Sequence, residues 1–120
     1  MHTVMIAEDD PAISGNLEKA LIRKGLNVFT TTNGIEAVNL IKEKKPEVLL
    51  LDINLPGISG MKVLEETKKL DGNLKVIVIT GTFDSETEKQ AKDCGVYAFL
   101  KKPFMIEVVF KLLGDLKIIV

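Results

Sequence analysis

Hydrophobic residues along this chain alternate between two spacings. Short continuous apolar runs, at 3–7, 48–51 and 76–79, are typical of strands that are buried on both faces. Between these runs, apolar residues recur every three or four positions, as Ile13 and Leu17 do, which indicates helices with one apolar face. The pattern therefore predicts strands and helices in alternation.

Turn and helix-end residues divide the pattern into five strand-helix units. Pro11 suits the start of the first helix, Gly25 its end, Asn33-Gly34 a turn, and Pro46 the end of the second helix. The predicted strands are 3–7, 27–31, 48–51, 76–79 and 96–100. The predicted helices begin at 11, at 35, at 61, at 84 and at 106, and the last ends at 116.

Strict alternation of this kind predicts the fold class. Parallel strands joined by right-handed helical crossovers form an α/β sandwich of three layers, with helices on both faces of a five-stranded sheet. No linker, repeat or low-complexity stretch interrupts the 120 residues. We therefore expect a single domain over 1–120.

Composition excludes several classes of function. The chain is 46% hydrophobic and 28% charged, so disorder is excluded, and no apolar run approaches the roughly 20 residues that span a bilayer. We expect no membrane contact and a cytoplasmic location. The 16 basic residues balance 17 acidic ones, which argues against direct nucleic-acid binding. One cysteine and one histidine cannot form an internal disulfide or a zinc cage.

Candidate chemistry lies at the ends of the predicted strands. Ligands of open α/β sheets bind at the carboxyl ends of the strands, where Glu8, Asp9, Asp52, Thr80 and Lys102 fall. Three clustered carboxylates repel one another unless a cation neutralises them, and Mg²⁺ prefers such oxygen ligands. These positions therefore predict a magnesium site beside an ammonium and a hydroxyl.

Each of these residues also has an ordinary structural interpretation. An aspartate after a strand is often a turn residue or a helix cap, which is the role we expect for Asp10. Thr80 could simply end a strand, Lys102 could be a solvated charge, and Phe99 could be a permanent core aromatic. It is the clustering at one edge that favours a site.

Other positions are expected to be structural. Tyr97 and Met105 are predicted to pack, Cys94 to be a small buried filler, and His2 to lie at the surface. The apolar end, 116–120, is predicted to belong to the core.

Four motifs, taken in their order along the chain, indicate a protein family. They are MIAEDDP at 5–11, LLLDINLPGISG at 49–60, VITG at 78–81 and FLKKPF at 99–104. Together they resemble the receiver domain of two-component response regulators over the whole chain. The resemblance implies a flavodoxin-like (βα)5 fold with strand order 2-1-3-4-5.

The resemblance also implies a phosphorylation site. Asp52 matches the aspartate that accepts a phosphoryl group from a sensor histidine kinase or a histidine phosphotransfer protein. Glu8 and Asp9 match the acidic pair that holds Mg²⁺ together with Asp52 and the backbone carbonyl of Asn54, and Mn²⁺ is a possible substitute. Glu8 departs from the commoner aspartate at its position. No enzymatic activity is implied beyond phosphorylation and dephosphorylation of the domain itself.

A conformational switch is implied as well. Lys102 matches the lysine that contacts the phosphoryl group, Thr80 the hydroxyl that turns toward it, and Phe99 the aromatic switch. The residue pair Lys102-Pro103 is suited to a cis bond, and Thr82 falls, like Asn54, where the family tunes dephosphorylation. The output surface would be the fourth helix, fifth strand and fifth helix, which would bind a downstream target in a monomer or a phosphorylation-dependent dimer.

Several alternatives stay open. A Mg²⁺-dependent phosphohydrolase of the haloacid dehalogenase type needs a second aspartate where this chain has Asn54. A flavodoxin-like FMN binder needs a phosphate-cradling first loop, whereas Glu8, Asp9 and Asp10 repel phosphate. A receiver-like module that is never phosphorylated would not need the complete set of site residues. The chain could be a single-domain regulator, a relay intermediate, or the N-terminal receiver of a longer DNA-binding regulator.

Overall fold

The computed structural model describes residues 1–81 and 84–119, in which five strands alternate with five helices. The strands are β1 (Thr3–Ala7), β2 (Asn27–Thr31), β3 (Val48–Asp52), β4 (Lys75–Thr80) and β5 (Ala98–Lys101). The helices are α1 (Pro11–Arg23), α2 (Gly34–Lys44), α3 (Gly60–Leu70), α4 (Ser85–Asp93) and α5 (Ile106–Asp115).

All five strands are parallel and form one sheet in the order β2-β1-β3-β4-β5. This confirms the predicted fold class and strand order. The chain runs outward from β1 to β2 on one side and from β3 to β5 on the other. The direction of winding therefore reverses between β1 and β3, which is where α/β sheets of this kind open a crevice at their carboxyl ends.

Two apolar layers cover the two faces of the sheet. On one face, alternate strand residues such as Ile6, Leu50 and Ile77 pack with α1 and α5. On the other face, Met5 and Leu49 belong to a cluster that includes residues of α2, α3 and α4. Strand residues buried on both faces explain why the central strands are continuous apolar runs.

Polar side chains cap the helices where the sheet ends. Asp10 accepts hydrogen bonds from the backbone N–H groups of Ala12 and Ile13, which confirms its predicted role. Asn33 and Ser59 cap α2 and α3 in the same way. The predicted turn at Asn33-Gly34 is therefore the entrance of α2, with Gly34 as the first helical residue.

A close backbone contact fixes the loop after β3. Gly60 donates a backbone hydrogen bond of 2.9 Å to the carbonyl of Ile53, and a Cβ at Gly60 would lie 2.3 Å from Ile53 Cα. Gly34 likewise donates to the carbonyl of Pro56 at 2.9 Å. Only glycine fits at these approaches, so the loop is held against the sheet and the start of α2.

Some packing predictions are wrong. Tyr97 is 38% exposed because β5 is an edge strand that begins at Ala98, two residues later than predicted. Met105 is 67% exposed because it occupies the non-helical position before α5.

Other packing predictions are confirmed. Leu116, Ile118 and Ile119 pack partly buried against the α1–α5 face, while Val120 lies outside the described residues. Cys94 packs partly buried against the opposite cluster, and His2 is exposed. Among the described residues, no helix has the length and apolar character needed to cross a membrane.

Candidate functional site

Four strands deliver the predicted site residues to one edge of the sheet. Glu8 directly follows β1, Asp52 ends β3, Thr80 ends β4 and Lys102 directly follows β5. Glu8 and Thr80 are fully buried, and Asp52 is 3% exposed. Because parallel strands bring their carboxyl ends together, residues far apart in the chain form one buried polar cluster.

Lys102 joins the two buried carboxylates. Its Nζ lies 2.6 Å from Glu8 Oε1 and donates a hydrogen bond of 2.9 Å to Asp52 Oδ2. The contact with Glu8 has the distance of an ion pair without the angles of a hydrogen bond. A single ammonium therefore offsets two carboxylates that are almost fully removed from water.

Asp52 is held from two sides. Its Oδ1 accepts a hydrogen bond of 2.9 Å from the backbone N–H of Asn54, and its Oδ2 accepts from Lys102. Both donors stabilise the ionised carboxylate and fix its orientation. Asp52 is thus a positioned anion at the edge of the sheet.

The charges of the cluster shift one another. Burial raises the pKa of Glu8 above its usual value of 4.5, and the neighbouring Asp52 adds to this, while Lys102 and the N–H of Asp10 oppose it. Burial alone would lower the pKa of Lys102, but its contacts with Glu8 and Asp52 outweigh burial and raise it above 10.5. The raised pKa of Lys102 shows that the two carboxylates stabilise a positive charge between them.

A divalent cation fits the remaining donor atoms. Glu8, Asp9 and Asp52 each offer a carboxylate oxygen, and these atoms lie within 4.8 Å of one another. Glu8 Oε2 accepts from the N–H of Asp10 at 3.1 Å, whereas the buried Oε1 receives no hydrogen bond from the described residues. Three carboxylates against one ammonium, with oxygen donors only, suit a hard cation of the Mg²⁺ class.

Thr80 is connected to the loop after β3. The side-chain Nδ2 of Asn54 donates to Thr80 Oγ1 at 3.4 Å. The sequence analysis gave Asn54 a backbone carbonyl as a metal ligand and a position that tunes dephosphorylation, and both stay predictions. It missed the side-chain contact of Asn54 with Thr80 and its N–H contact with Asp52. The spacing of two residues after a strand-end aspartate, typical of an Asx turn, could have indicated the second contact.

Phe99 lies on the same sheet face as Thr80. In the parallel register, Phe99 is opposite Val78 and Lys101 is opposite Thr80, so Phe99 and Thr80 are separated by one diagonal step. Phe99 is partly buried against the cluster that includes Val78. The proximity of the two predicted switch residues agrees with the sequence analysis; Thr82 lies outside the described residues.

An apolar cleft adjoins Lys102. The Lys102-Pro103 peptide bond is cis, as the resemblance implies. The segment after it and α1 enclose about 560 Å³, and Ile13, Leu17 and Phe104 are among the lining residues. The charged cluster is therefore bordered by a surface on which apolar groups of another molecule can rest.

Comparison with known proteins places the chain in a family. The family described as the response regulator receiver domain matches residues 4–113. Sporulation initiation phosphotransferase F of Bacillus subtilis is 27% identical over 106 residues, which are 88% of this chain and 86% of that protein. The DNA-binding transcriptional regulator NtrC of Escherichia coli is 36% identical over 104 residues, 87% of this chain and only 22% of that protein.

Solved structures agree with this placement. A CheY-like response regulator receiver domain protein from Methanospirillum hungatei matches with a TM-score of 0.92 and 25% identity, over 96% of this chain and 92% of that one. A response regulator protein from Burkholderia pseudomallei, with a phosphorylated aspartic acid, calcium ion and citrate, matches with a TM-score of 0.87 and 25% identity, over 98% and 71% of the two chains.

Proposed function

Because the chain belongs to the response regulator receiver domain family, we propose that Asp52 is the residue through which it accepts a phosphoryl group. Receivers of this family interact with histidine kinases or phosphotransfer proteins, so the donor is a phosphohistidine. The observation that carries the proposal is the geometry of Asp52, whose two oxygens are held by Lys102 Nζ and by the N–H of Asn54.

The transfer is a displacement at phosphorus. A carboxylate oxygen of Asp52 attacks, the P–N bond to the donor imidazole breaks, and its electron pair stays on the imidazole nitrogen. Negative charge is spread over the equatorial phosphoryl oxygens during this step, so alignment and positive charge account for most of the catalysis. Lys102 supplies an ammonium within reach of Asp52.

Glu8, Asp9 and Asp52, with the backbone carbonyl of Asn54, would hold the divalent cation. Mg²⁺, or Mn²⁺ in its place, supplies charge that offsets the phosphoryl oxygens. The carboxylate oxygens of Glu8, Asp9 and Asp52, which lie within 4.8 Å of one another, support this assignment. The Burkholderia pseudomallei structure, which contains both a phosphorylated aspartic acid and a calcium ion, supports the same combination here.

Phosphorylation would then act on a switch. The new group adds roughly −1.5 to −2 charge and three acceptor oxygens. Thr80 would donate its hydroxyl to one of them and leave the amide of Asn54, which now donates to it. Phe99, one diagonal step away, would fill the space that is vacated. The consequence is a changed surface along α4, β5 and α5, where a downstream target would bind.

The donor protein would dock beside the site. The apolar cleft between α1 and the segment after Lys102 adjoins Asp52's partner lysine, so a helix seated there would bring its phosphohistidine to the acceptor. The likeness to a phosphotransferase over most of its length supports a single-domain regulator or relay intermediate. The likeness to about a fifth of NtrC is equally compatible with the receiver of a longer DNA-binding regulator.

Beyond its own phosphorylation and dephosphorylation, we propose no enzymatic turnover. A cytoplasmic location and a monomeric or phosphorylation-dependent dimeric state stay predictions.

Intact-mass analysis tests the proposal. Incubation with acetyl phosphate and Mg²⁺ should add the mass of one phosphoryl group, and EDTA should reduce the labelled fraction by about tenfold or more. Asp52→Asn should remain unlabelled, because an amide is a poor nucleophile. Asp93→Asn, at an exposed carboxylate on α4, is the matched control and should label as the wild type does. Label that persists in Asp52→Asn, or no label in the wild type, would contradict the proposal.

A further inference from the structure

A second cleft lies at the opposite end of the sheet from the phosphorylation site. It encloses about 420 Å³ between the ends of α2 and α3, and we call it the basal cleft. Its lining residues are Ile41, Lys42, Lys45, Pro46, Leu70 and Asp71. These residues precede β3 and β4, so the basal cleft is at the amino ends of the strands.

The basal cleft combines an apolar floor with cations at its edge. Ile41 is 3% exposed, whereas Leu70 is 41% exposed at the edge. Lys42 and Lys45 are exposed, and neither ammonium forms an ion pair with a carboxylate of the described residues. Asp71 is the one lining acid, and its Oδ1 already accepts from the N–H of Asn73 at 2.9 Å. The cleft therefore presents positive charge around an apolar patch.

The backbone of Lys45 gives an independent indication. Lys45 has a φ of 47° in the left-handed region, and it precedes Pro46, which further restricts its conformation. Glycine is the residue that this helix-end position favours. A lysine is present instead, although its side chain has no partner among the described residues. Strain of this kind at a cleft points to a role in recognition.

Neutralisation of the helix dipole does not account for this lysine. Cations near a helix C-terminus interact favourably with its carbonyls, but Lys42 and Lys44 already occupy the last turn of α2. Lys45 adds a third positive charge, at a position where it strains the chain. A negatively charged ligand would pair with the ammonium of Lys45 and so account for its presence.

We propose that the basal cleft binds an acidic peptide segment of a protein partner, with one aliphatic side chain of the segment on the apolar floor. The floor of Ile41 and Pro46 accepts the aliphatic group, and Lys42 and Lys45 pair with flanking carboxylates. This surface is separate from the phosphorylation site, so the proposal does not depend on phosphorylation.

NMR titration of the ¹⁵N-labelled full chain tests the proposal. The probe is the capped peptide Glu-Asp-Leu-Glu-Asp, and we expect saturable shifts centred on Lys42, Lys45 and Leu70. A peptide with serine in place of leucine, and one with lysines in place of the acids, should bind at least about threefold more weakly. Equal binding of the serine peptide would overturn the apolar anchor. Shifts centred elsewhere, or shifts at the basal cleft with phosphatidylserine vesicles but not with the peptide, would overturn the proposal.

Lys45→Gly separates recognition from folding. We expect an unchanged or higher Tm because the left-handed strain is relieved, together with about two- to fivefold weaker peptide binding. Lys89→Gly, at an exposed lysine within α4, is the control. It should lower the Tm slightly and leave peptide binding unchanged. Full binding by Lys45→Gly would contradict the proposal.

Discussion

The two ends of the sheet use charge in different ways. At the carboxyl end, Glu8 and Asp52 are buried, and Lys102 lies within 2.9 Å of both. At the amino end, Lys42 and Lys45 are exposed and have no ion-pair partner among the described residues. The net charge of −1 for the whole chain therefore combines a buried cluster, in which one ammonium faces two carboxylates, with an open basic surface.

The difference follows from the cost of burial. A buried charge without a partner is strongly destabilising, so the buried charges at the carboxyl end need a partner of opposite charge. An exposed charge changes stability little, so folding alone does not determine which charges occupy the amino end. Changes at the carboxyl end should therefore alter stability and phosphorylation together, whereas changes at the amino end should alter binding.

The backbone shows the same contrast. Gly60, at the carboxyl end, lies against Ile53, whereas nothing lies within 4 Å of a Cβ built at Gly72, in the amino-end turn between α3 and β4. The loop after β3, which places Asn54 beside Asp52, is therefore closely packed, whereas the turn at Gly72 has free space around it.

Lys102→Met should produce the largest effect. The substitution keeps a long apolar stem but leaves Glu8 and Asp52 buried without their ammonium. Breaking a buried pair in this way costs about 3 to 5 kcal/mol, which urea unfolding at pH 7 with EDTA would measure. Added Mg²⁺ should recover part of the loss, because a ligand that binds only the native state stabilises it.

The matched control for this variant is Lys75→Met. Lys75 is exposed at the amino end of β4, so its free energy of unfolding should change by less than about 0.5 kcal/mol. Equal losses in the two variants would remove the distinction between the two ends.

Gly60→Ala should give the next largest effect. A Cβ at Gly60 would lie 2.3 Å from Ile53 Cα, and because the atoms it would meet belong to the backbone of Ile53, the loop must shift. We expect a loss of about 1 to 3 kcal/mol in the free energy of unfolding, as for other overpacked positions.

Gly72→Ala is the comparison for this variant and should change the free energy of unfolding by less than about 0.5 kcal/mol. Because the shifted loop carries Asn54, Gly60→Ala should also slow labelling by acetyl phosphate. A Gly60→Ala protein with wild-type stability and labelling would show that the carboxyl-end loop is not held as the close contact indicates.

Sequence reasoning predicted the features that depend on local pattern. The apolar runs located β1, β3 and β4, and the segments between turn and helix-end residues located β2 and β5. The strand-end rule brought Glu8, Asp52 and Lys102 together, because parallel topology leaves those residues little freedom. The exposure of Tyr97 and Met105 was not predictable in this way. The implied strand order and the predicted helix start at 106 were right, but neither indicates how far neighbouring elements cover the side chains of Tyr97 and Met105.

The contacts between particular side chains could not be predicted from the sequence either. The contact of Asn54 with Thr80 joins the loop after β3 to the end of β4, 26 residues further along the chain, and it depends on the path of the chain after β3. The left-handed conformation of Lys45 was hidden for a similar reason, since that position usually favours glycine.

The smallest effect is expected for Glu47→Gln, at the amino end. Slight burial of Glu47 acts to raise its pKa, but hydrogen bonds from His2 and from the N–H of Thr3 outweigh it and hold the pKa below 4.5. A depressed pKa adds stability above the unfolded value, and this gain is lost as the pH falls through the folded pKa. The variant should therefore lose less than about 1 kcal/mol at pH 7, since the pair is about half exposed.

Urea unfolding of both proteins at pH 7 and in steps toward lower pH checks this prediction, because the difference between them should shrink as the pH falls through the pKa of Glu47 in the folded state. A difference that persists at the lower pH would show that the carboxylate charge is not what stabilises the contact. A loss at pH 7 as large as that of Lys102→Met would mean that an exposed pair at the amino end is as strongly coupled to folding as the buried cluster. The small expected loss for Glu47→Gln is therefore the strictest test of the difference between the two ends of the sheet. It requires that an ion pair contribute little to stability where solvent screens it, although a similar pair contributes strongly where it is buried.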